Sequence, residues 1–132
     1  MPAREDMPDT IRRSPKKAQD TWAKAHDSAV EQYGEGERAR RTAYATLKRS
    51  YEKVGDHWEP KQRKGPSDER AARGRQAPVP TAGGVDAHAS KAHLMDIAKR
   101  LDVSGRSRMT KGELVEAIQR ANAQQTRRSR QR

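Results

Sequence analysis

The chain has 132 residues, of which 31% are hydrophobic and 36% are charged, and it contains no phenylalanine. This is too little apolar material for one large core, so small ordered units are expected instead of one continuous globule. Basic side chains outnumber acidic ones by 29 to 18, a net charge of +11 that favours a polyanionic partner, with nucleic acid ahead of an anionic membrane surface.

The positive charge is unevenly distributed along the chain. Residues 1–59 carry 12 basic and 11 acidic side chains, whereas residues 60–132 carry 17 basic and 7 acidic ones. The chain has no cysteine, and therefore neither a disulfide nor a thiolate metal ligand. No signal-peptide core and no apolar run long enough to span a bilayer are recognisable. We expect a cytoplasmic protein without membrane insertion, with association with the nucleoid as an open alternative.

Two helices are predicted in the first half of the chain. Ser14 followed by Pro15 is typical of a helix N-cap with proline at the first helical position. Apolar side chains then recur at a spacing of three and four from Ala18 to Tyr33, and again from Ala39 to Val54. Because the short turn Gly34-Glu35-Gly36 separates the two stripes, they predict an antiparallel helix pair.

Two smaller features flank this helix pair. Trp58 is expected to close the pair at its C-terminal end. Before the pair, residues 8–11 are expected to form one short extra turn, with Met7 and Ile11 as its apolar anchors. Residues 1–6 are expected to be disordered.

Residues 62–89 have the composition of a flexible basic linker. Prolines and glycines are mixed with scattered arginines, and no hydrophobic period is sustained. An extra helix over residues 67–76 is an alternative, but it would have no apolar face to bury. A linker of this kind predicts that the segments on its two sides have no single relative orientation.

A second helical unit follows the predicted linker. Ser90 is placed to cap a helix whose apolar side chains, from Leu94 to Leu101, follow at positions i, i+3, i+4 and i+7. Thr110 and Glu113 have the spacing of a capping box, in which each side chain satisfies the other residue's backbone N–H. A further apolar stripe from Leu114 to Ala121 predicts the second helix of a hairpin.

The last residues of the chain look different from the hairpin. Residues 124–132 contain four arginines and no acidic or aliphatic side chain, which predicts a disordered, arginine-rich tail. Together the elements predict an all-α protein. It consists of two small helical modules, at residues 7–61 and 90–123, joined by the flexible basic linker.

Several short runs in the N-terminal module are typical of one protein family. They are Met7-Pro8, Ala18-Gln19-Asp20, Ala25-His26-Asp27-Ser28-Ala29, Ala43-Tyr44-Ala45-Thr46-Leu47-Lys48, Tyr51 and Trp58. Over residues 7–61 this pattern resembles the ChaB family, although His26 and Asp27 replace its usual aromatic and amide. The resemblance implies a compact, mainly helical domain in which short extended segments can occur near Met7 and Trp58. It also implies a regulatory role towards a cation transporter, without assigning that role to particular residues.

The C-terminal module carries a second resemblance. It rests on Leu94-Met95-Asp96-Ile97-Ala98, on Leu101-Asp102-Val103-Ser104-Gly105, and on the run from Ser107 to Ile118. These runs are similar to the N-terminal domain of transcription termination factor Rho, a helix, extended loop and helix related in shape to SAP domains. The resemblance implies a nucleic-acid-associated module. It does not imply an ATP-driven helicase, because no Walker A glycine-rich loop is present.

Basic side chains of the C-terminal module and tail form the predicted nucleic-acid site. The leading candidates for a phosphate contact lie around the start of the second helix of the hairpin, because backbone N–H groups and the dipole at a helix start favour phosphate. They are Arg106, Arg108, Thr110 and Lys111. Tail arginines would add sequence-independent affinity through counterion release. A solvated surface, or a tail that acts as a solubility device or tether, stays open as an alternative. The predicted set is Lys91, Lys99, Arg100, Arg106, Arg108, Thr110, Lys111, Arg127, Arg128, Arg130 and Arg132.

Other residue types form no recognisable site. The aromatic side chains follow helical spacing, which favours core packing over base stacking. The four histidines offer no pair at i and i+4, and no cysteine can complete a zinc pattern. The run His26-Asp27-Ser28 has the names of a catalytic triad, but consecutive helical residues point about 100° apart. We therefore expect no catalytic residues, no metal and no cofactor. The aromatic side chains expected to pack in the core, and not to stack on bases, are Trp22, Tyr33, Tyr44, Tyr51 and Trp58.

The leading hypothesis is a non-enzymatic protein that binds DNA or RNA, without strong sequence specificity, through the C-terminal hairpin and tail. It includes a link to transcription termination or its regulation, and a protein partner for the N-terminal module. The alternative is a ChaB-type regulatory protein that acts on a cation transporter.

Overall fold

The computed structural model of this protein describes residues 7–66 and 84–130. These ranges are mostly helical, as predicted, but they also contain a two-stranded antiparallel sheet, which corrects the all-α prediction. The predicted disorder at residues 1–6 and the alternative helix at 67–76 lie outside the described residues. The elements are α1 (Asp9–Arg12), α2 (Lys16–Tyr33), α3 (Glu37–Lys48), β1 (Tyr51–Val54), β2 (His57–Pro60), α4 (Lys91–Arg100), a 3-10 helix (Arg106–Arg108) and α5 (Lys111–Arg130).

Helices α2 and α3 pack against each other, and the predicted glycine turn joins them. Gly34 has a φ of +79° and Gly36 a φ of +138°, values that side chains with a Cβ rarely adopt. The predicted N-cap at Ser14 is wrong, because α2 begins at Lys16 and its N-cap residue is Pro15. The Ser14 hydroxyl instead donates to the Thr10 carbonyl and accepts a hydrogen bond from the Trp58 backbone N–H. Ser14 thus ties the short helix α1 to strand β2.

Strands β1 and β2 form a hairpin where helical periodicity had been predicted. Helix α3 ends at Lys48, and Tyr51 pairs with Pro60 while Val54 pairs with His57. Apolar residues three apart fit one face of a helix, but they also fit the two opposite faces of a short strand that is buried on both sides. The spacing of Tyr51 and Val54 is therefore ambiguous. Gly55 occupies the first position of the two-residue turn with a φ of +69°, which suits a tight hairpin.

The hairpin lies between two hydrophobic cores. Tyr51 and Trp58 pack into the first core, with Trp22 and Leu47 from the helix pair. Val54 points the other way and packs into the second core with residues such as Leu94 from α4. Because side chains alternate between the faces of a strand, one short hairpin contributes to both cores. The two predicted modules are therefore packed together in this structure.

The second core also includes part of the predicted linker. Val85 and Ala89 are buried beside Leu94, and the Gly84 carbonyl accepts a hydrogen bond from the Lys53 N–H. Residues 84–89 are thus an ordered continuation of the C-terminal module and not free linker. Through these contacts the described residues place the two modules in one packed arrangement. The remainder of the predicted linker, residues 67–83, lies outside the described residues.

Helix α5 continues through the predicted disordered tail as far as Arg130. Thr126 in this segment is buried, and its hydroxyl donates to the Gly55 carbonyl. The absence of aliphatic side chains predicts a solvated tail over residues 124–132, of which 131 and 132 lie outside the described residues. The segment packs through polar contacts instead, which a search for apolar stripes does not detect.

Candidate nucleic-acid interface

The predicted basic residues of the C-terminal module lie at the ends of its helices. Lys91 begins α4, Lys99 lies in its last turn, Arg108 ends the 3-10 helix and Lys111 begins α5. All four side chains are exposed, and none makes a hydrogen bond or ion pair within residues 7–66 and 84–130. They are therefore available to a polyanion.

The predicted phosphate position at the start of α5 is already occupied by a carboxylate of the chain. The Thr110 N–H donates to Glu113 Oε1 at 2.9 Å, and the Glu113 N–H donates to Thr110 Oγ1 at 3.3 Å. The predicted capping box is confirmed. Hydrogen bonds from the backbone and side chain of Thr110 lower the pKa of Glu113, which keeps its negative charge at this helix start. A phosphate would have to compete with that charge for the Thr110 donors.

Arg100 is engaged within the protein. Its two terminal nitrogens donate to the two carboxylate oxygens of Glu59 on β2, at 2.9 and 2.6 Å. Such bidentate pairs are among the stronger charge-assisted hydrogen bonds. The hydrogen bonds from Arg100 lower the pKa of Glu59 to about 2, with a further contribution from His57. Arg100 thus joins the two modules, a role that sequence analysis did not assign to it.

Arg106 is also partly engaged. It is half-buried, and its Nη1 donates to the Val103 carbonyl at 3.2 Å, which folds the side chain over its own loop. The other nitrogens of its guanidinium group still have donors to offer. Arg106 therefore supports the loop between α4 and α5 and retains capacity for an external contact.

The predicted tail arginines lie on the last turns of α5. Arg127, Arg128 and Arg130 are exposed, whereas Thr126 is buried and Ser129 is half-buried against the hairpin turn. Thr126 and Ser129 are three positions apart and share the docked face of the helix, which leaves Arg127 and Arg128 to point away from it. Arg132 lies outside the described residues. The structure thus presents these arginines on a helix instead of a disordered tail.

Asn122 anchors α5 to the free edge of β1. Its side-chain oxygen accepts from the Gly55 N–H at 2.6 Å, and its side-chain nitrogen donates to the Lys53 carbonyl at 2.9 Å. One carboxamide thus satisfies a donor and an acceptor as a neighbouring strand would. A side chain at Gly55 would be strained because its φ is +69°, and its Cβ would displace the end of the Gln125 side chain, which lies 2.3 Å away.

Asp56 in the hairpin turn forms the second anchor of α5. Its carboxylate accepts a hydrogen bond from the Ser129 hydroxyl and lies 3.4 Å from Arg13 Nε. Burial, which raises the pKa of Asp56, is outweighed by hydrogen bonds from Ser129 and His57 and by the charge of Arg13, so the pKa lies below its ordinary value. Asp56 is therefore an anionic link between α1, the hairpin and the end of α5.

The aromatic side chains mostly fill the first core, as predicted. Trp22, Tyr51 and Trp58 are buried, and Tyr44 is half-buried against them. Tyr33 is the exception, since 38% of it is exposed and the Arg38 guanidinium lies 3.9 Å from its ring centroid. Its position at the last residue of α2 places it beyond the core.

Two histidines contact carboxylates between or beside the modules. His93 Nε2 lies 2.7 Å from Glu52 Oε2, which joins α4 to β1. Burial raises the pKa of Glu52, and its Oε1 has no hydrogen-bond partner among the described residues. His57 lies between Asp56 and Glu59. Within the described ranges, no group of three or more histidine, cysteine or carboxylate residues is arranged to hold a metal ion.

The interface carboxylates Glu52, Asp56 and Glu59 were missed by sequence analysis. Each lies in or beside the hairpin, and its partner is 41 or 73 residues away in the chain. The only available signal was three acidic residues in the short run from 52 to 59, which also fits a solvated strand. Among the described residues, no helix is long and apolar enough to cross a bilayer.

The fold defines a protein in which two small helical modules pack against opposite faces of one hairpin. Comparison with protein families identifies both modules. The ChaB family matches residues 7–61, and the Rho termination factor, N-terminal domain, matches residues 92–127. Each module is thus similar to a known domain, and both resemblances predicted from the sequence are confirmed. No curated protein and no solved structure matches the chain.

Proposed function

We propose that this protein is a non-enzymatic nucleic-acid-associated protein that binds the phosphate backbone of DNA or RNA through its C-terminal module. The observation that carries the proposal is the exposed basic surface of α5, defined by Arg120, Arg127, Arg128 and Arg130. The match of residues 92–127 to the Rho N-terminal domain supports it. A role in transcription termination or its regulation is the finer form of the same proposal.

The helical state of the predicted tail changes how these arginines would act. Arg120 and Arg127 are seven residues apart, so they lie on one face of α5 about two turns from each other. Because the opposite face is docked on the hairpin, the arginines are held in place before binding and lose less conformational entropy on contact. Lys91, Lys99, Arg108 and Lys111 extend the basic surface towards the loop end of the module.

Binding of this kind depends steeply on salt concentration. Each phosphate neutralised by a basic side chain adds about 0.9 to the slope of log affinity against log salt for duplex DNA, and about 0.7 for a single strand. The contacts are with the backbone, so affinity is expected to vary little with base sequence.

The test is a fluorescence-anisotropy titration of the full chain with labelled duplex DNA and single-stranded RNA, at about 50 and 200 mM salt. The double variant R127A/R128A is expected to bind about tenfold more weakly at the lower salt and to have a smaller salt slope. The control K16A/K17A removes the same charge from exposed positions at the start of α2. If the unmodified chain shows no salt-sensitive binding to either nucleic acid, the proposed function is wrong.

A second candidate function follows from the ChaB match over residues 7–61. In this alternative the N-terminal module is a regulatory protein that docks on a cation transporter. Co-purification of the full chain with such a transporter from detergent extracts would support it, provided that the interaction survives the R127A/R128A substitutions. Loss of the interaction in that variant would favour nucleic acid as the primary partner.

A further inference from the structure

A cleft of about 360 Å³ lies between the two modules, away from the arginine surface of α5. One wall is the segment that follows β2, from Gln62 to Pro66, and the other is formed around Asp86, Ser90 and Lys111. Of the residues in this cleft, only Lys111 belongs to the site predicted from sequence. The cleft therefore requires both modules and the packing between them.

The first wall is held in a defined loop. The Lys61 N–H donates to the Ser50 carbonyl, and the Gly65 N–H donates to the Arg49 carbonyl. Lys61 Nζ, which is almost fully buried, also donates to the carbonyls of Lys48 and Gly65, at 2.9 and 2.6 Å. These contacts secure both ends of the loop, and two of the three residues between them are basic.

Those two residues are Arg63 and Lys64. Both are exposed, and neither makes a hydrogen bond or an ion pair with any described residue. The second wall approaches them closely, because Gln62 Oε1 accepts a hydrogen bond from the Ser90 N–H at 3.1 Å. Lys111, at the start of α5, adds a third exposed cation to the cleft.

Asp86 is the one carboxylate among the residues that line the cleft in the described ranges, and its charge is compensated. It is buried, lies 3.9 Å from the Lys61 ammonium, and accepts a hydrogen bond from the His88 N–H at 3.2 Å. The charges of Arg63, Lys64 and Lys111 are left without a local counter-ion. A concave surface lined by charges of one sign concentrates the field and attracts ions of the opposite sign.

We propose that this cleft binds backbone phosphates of the nucleic acid, with Arg63, Lys64 and Lys111 each contacting one phosphate. The inference rests on the proposed function and extends it, because it places part of the interface on the loop that follows β2 and is hydrogen-bonded to the end of the N-terminal module. The strand would then contact both modules, and their packed arrangement would be a condition for full affinity. Arginine and lysine are the usual partners of phosphate oxygens in such contacts.

The test compares R63A/K64A with K16A/K17A in the anisotropy titration, using the full chain and the same labelled duplex. Both variants lose two exposed positive charges, so any general effect of net charge is equal in the two. The cleft variant is expected to bind at least about fivefold more weakly than the control. Its salt slope is expected to be smaller than that of the control by about 1.8, because two phosphate contacts are lost. Lys111→Ala, on the opposite wall, is expected to reduce the slope by about 0.9.

A second measurement reads the cleft directly. Amide NMR shifts of His88 and Ser90 are followed while a short single-stranded oligonucleotide is added to the full chain, and they are expected to move in the unmodified protein but not in R63A/K64A. If the unmodified chain binds nucleic acid while R63A/K64A matches the control in affinity and slope, the cleft proposal is wrong and the proposed function stands. Absence of binding by the unmodified chain would overturn both.

Discussion

Asn122 shows how much of the packing between modules depends on one polar side chain. It is 2% exposed, and its carboxamide pairs with the Gly55 N–H and the Lys53 carbonyl on the edge of β1. An unpaired polar group in such a buried place would cost about 1–3 kcal/mol. The residue therefore stabilises the hairpin and the second half of α5 at the same time.

Replacement of this residue tests that interpretation. Asn122→Ala leaves a buried donor and a buried acceptor without partners, so the free energy of unfolding is expected to fall by about 2–3 kcal/mol in urea denaturation. Gln124→Ala, an exposed change on the same helix, is expected to alter it by less than about 0.5 kcal/mol. Equal effects of the two substitutions would show that the Asn122 contacts do not contribute as described.

At the scale of elements, α5 is one helix with two different kinds of contact. Its first half buries Leu114 and Ile118 in the second core, whereas its second half docks through Thr126 and Ser129 on the hairpin turn. Most helical stability in proteins comes from tertiary packing, so we expect docking to keep the last turns of α5 ordered. Arginines near the C-terminus add a favourable interaction with the helix dipole.

The end of α5 should fray when its anchor is removed. Asp56→Ala eliminates the acceptor of the Ser129 hydroxyl, so amides at residues 127–130 are expected to exchange with deuterium several-fold faster, while amides at 114–118 are unchanged. Glu116→Ala removes one exposed carboxylate from the same helix and serves as the control. Uniform acceleration along α5 in the Asp56 variant would contradict local fraying and indicate global destabilisation instead.

At the scale of the whole molecule, the hairpin is the element through which the modules pack. One of its faces belongs to the first core and the other to the second. A hydrogen bond between Glu52 and His93 and an ion pair between Glu59 and Arg100 link it to α4. Buried Glu52 and half-buried Glu59 respond to pH in opposite directions. Burial raises the pKa of Glu52, whereas hydrogen bonds from Arg100 lower the pKa of Glu59.

These opposite shifts define a prediction for acid stability. Glu59 has a folded-state pKa of about 2 against an ordinary value of 4.5. The contribution of Glu59 to the free energy of unfolding is therefore fully present above pH 4.5 and is lost as the pH falls through about 2. Glu59→Gln is expected to make the acid loss of stability over this window smaller by about 1–2 kcal/mol, after allowance for solvent screening. Denaturant titrations at several pH values measure this difference.

The control for the acid experiment is Glu31→Gln, an exposed change on α2 away from the interface. It is expected to follow the unmodified protein between pH 4.5 and 2. If Glu59→Gln shows the same pH dependence as this control, the pair of Glu59 with Arg100 does not contribute to folding. The effect of Glu52 on the pH dependence of stability has the opposite sign, because its pKa is raised by burial. Its protonated form favours the folded state at low pH, and this effect is lost as the pH rises through the raised pKa.

The sequence predicted the elements whose signals are local. The cap at Ser90 and the capping box of Thr110 and Glu113 are present, because both need only residues three apart. The hairpin at residues 51–60 was missed by periodicity, since four-residue strands are too short to separate a period of two from one of 3.6. The resemblance to ChaB did imply extended segments near Trp58, although the described residues around Met7 form none.

The candidate site could be predicted only in part, and for a related reason. Exposed residues such as Lys91, Lys99 and Arg127 stay available as expected, because nothing in the described structure pairs with them. Arg100 was also predicted to be available, but it pairs with Glu59, 41 residues away. The sequence places Arg63 and Lys64 in the predicted linker, since they become part of a possible site only when the second wall of the cleft packs beside them.

What the sequence by itself determined about this protein is its charge asymmetry, its two helical modules, their family resemblances and most helix boundaries. These follow from composition and from patterns within a few residues. Only the tertiary structure decided that the modules pack on one hairpin, that the arginine tail continues α5, and that a basic cleft forms between the modules. The physical reason is that polar docking contacts, such as those of Asn122 and Ser129, join groups 67 to 73 residues apart and have no periodic hydrophobic signal.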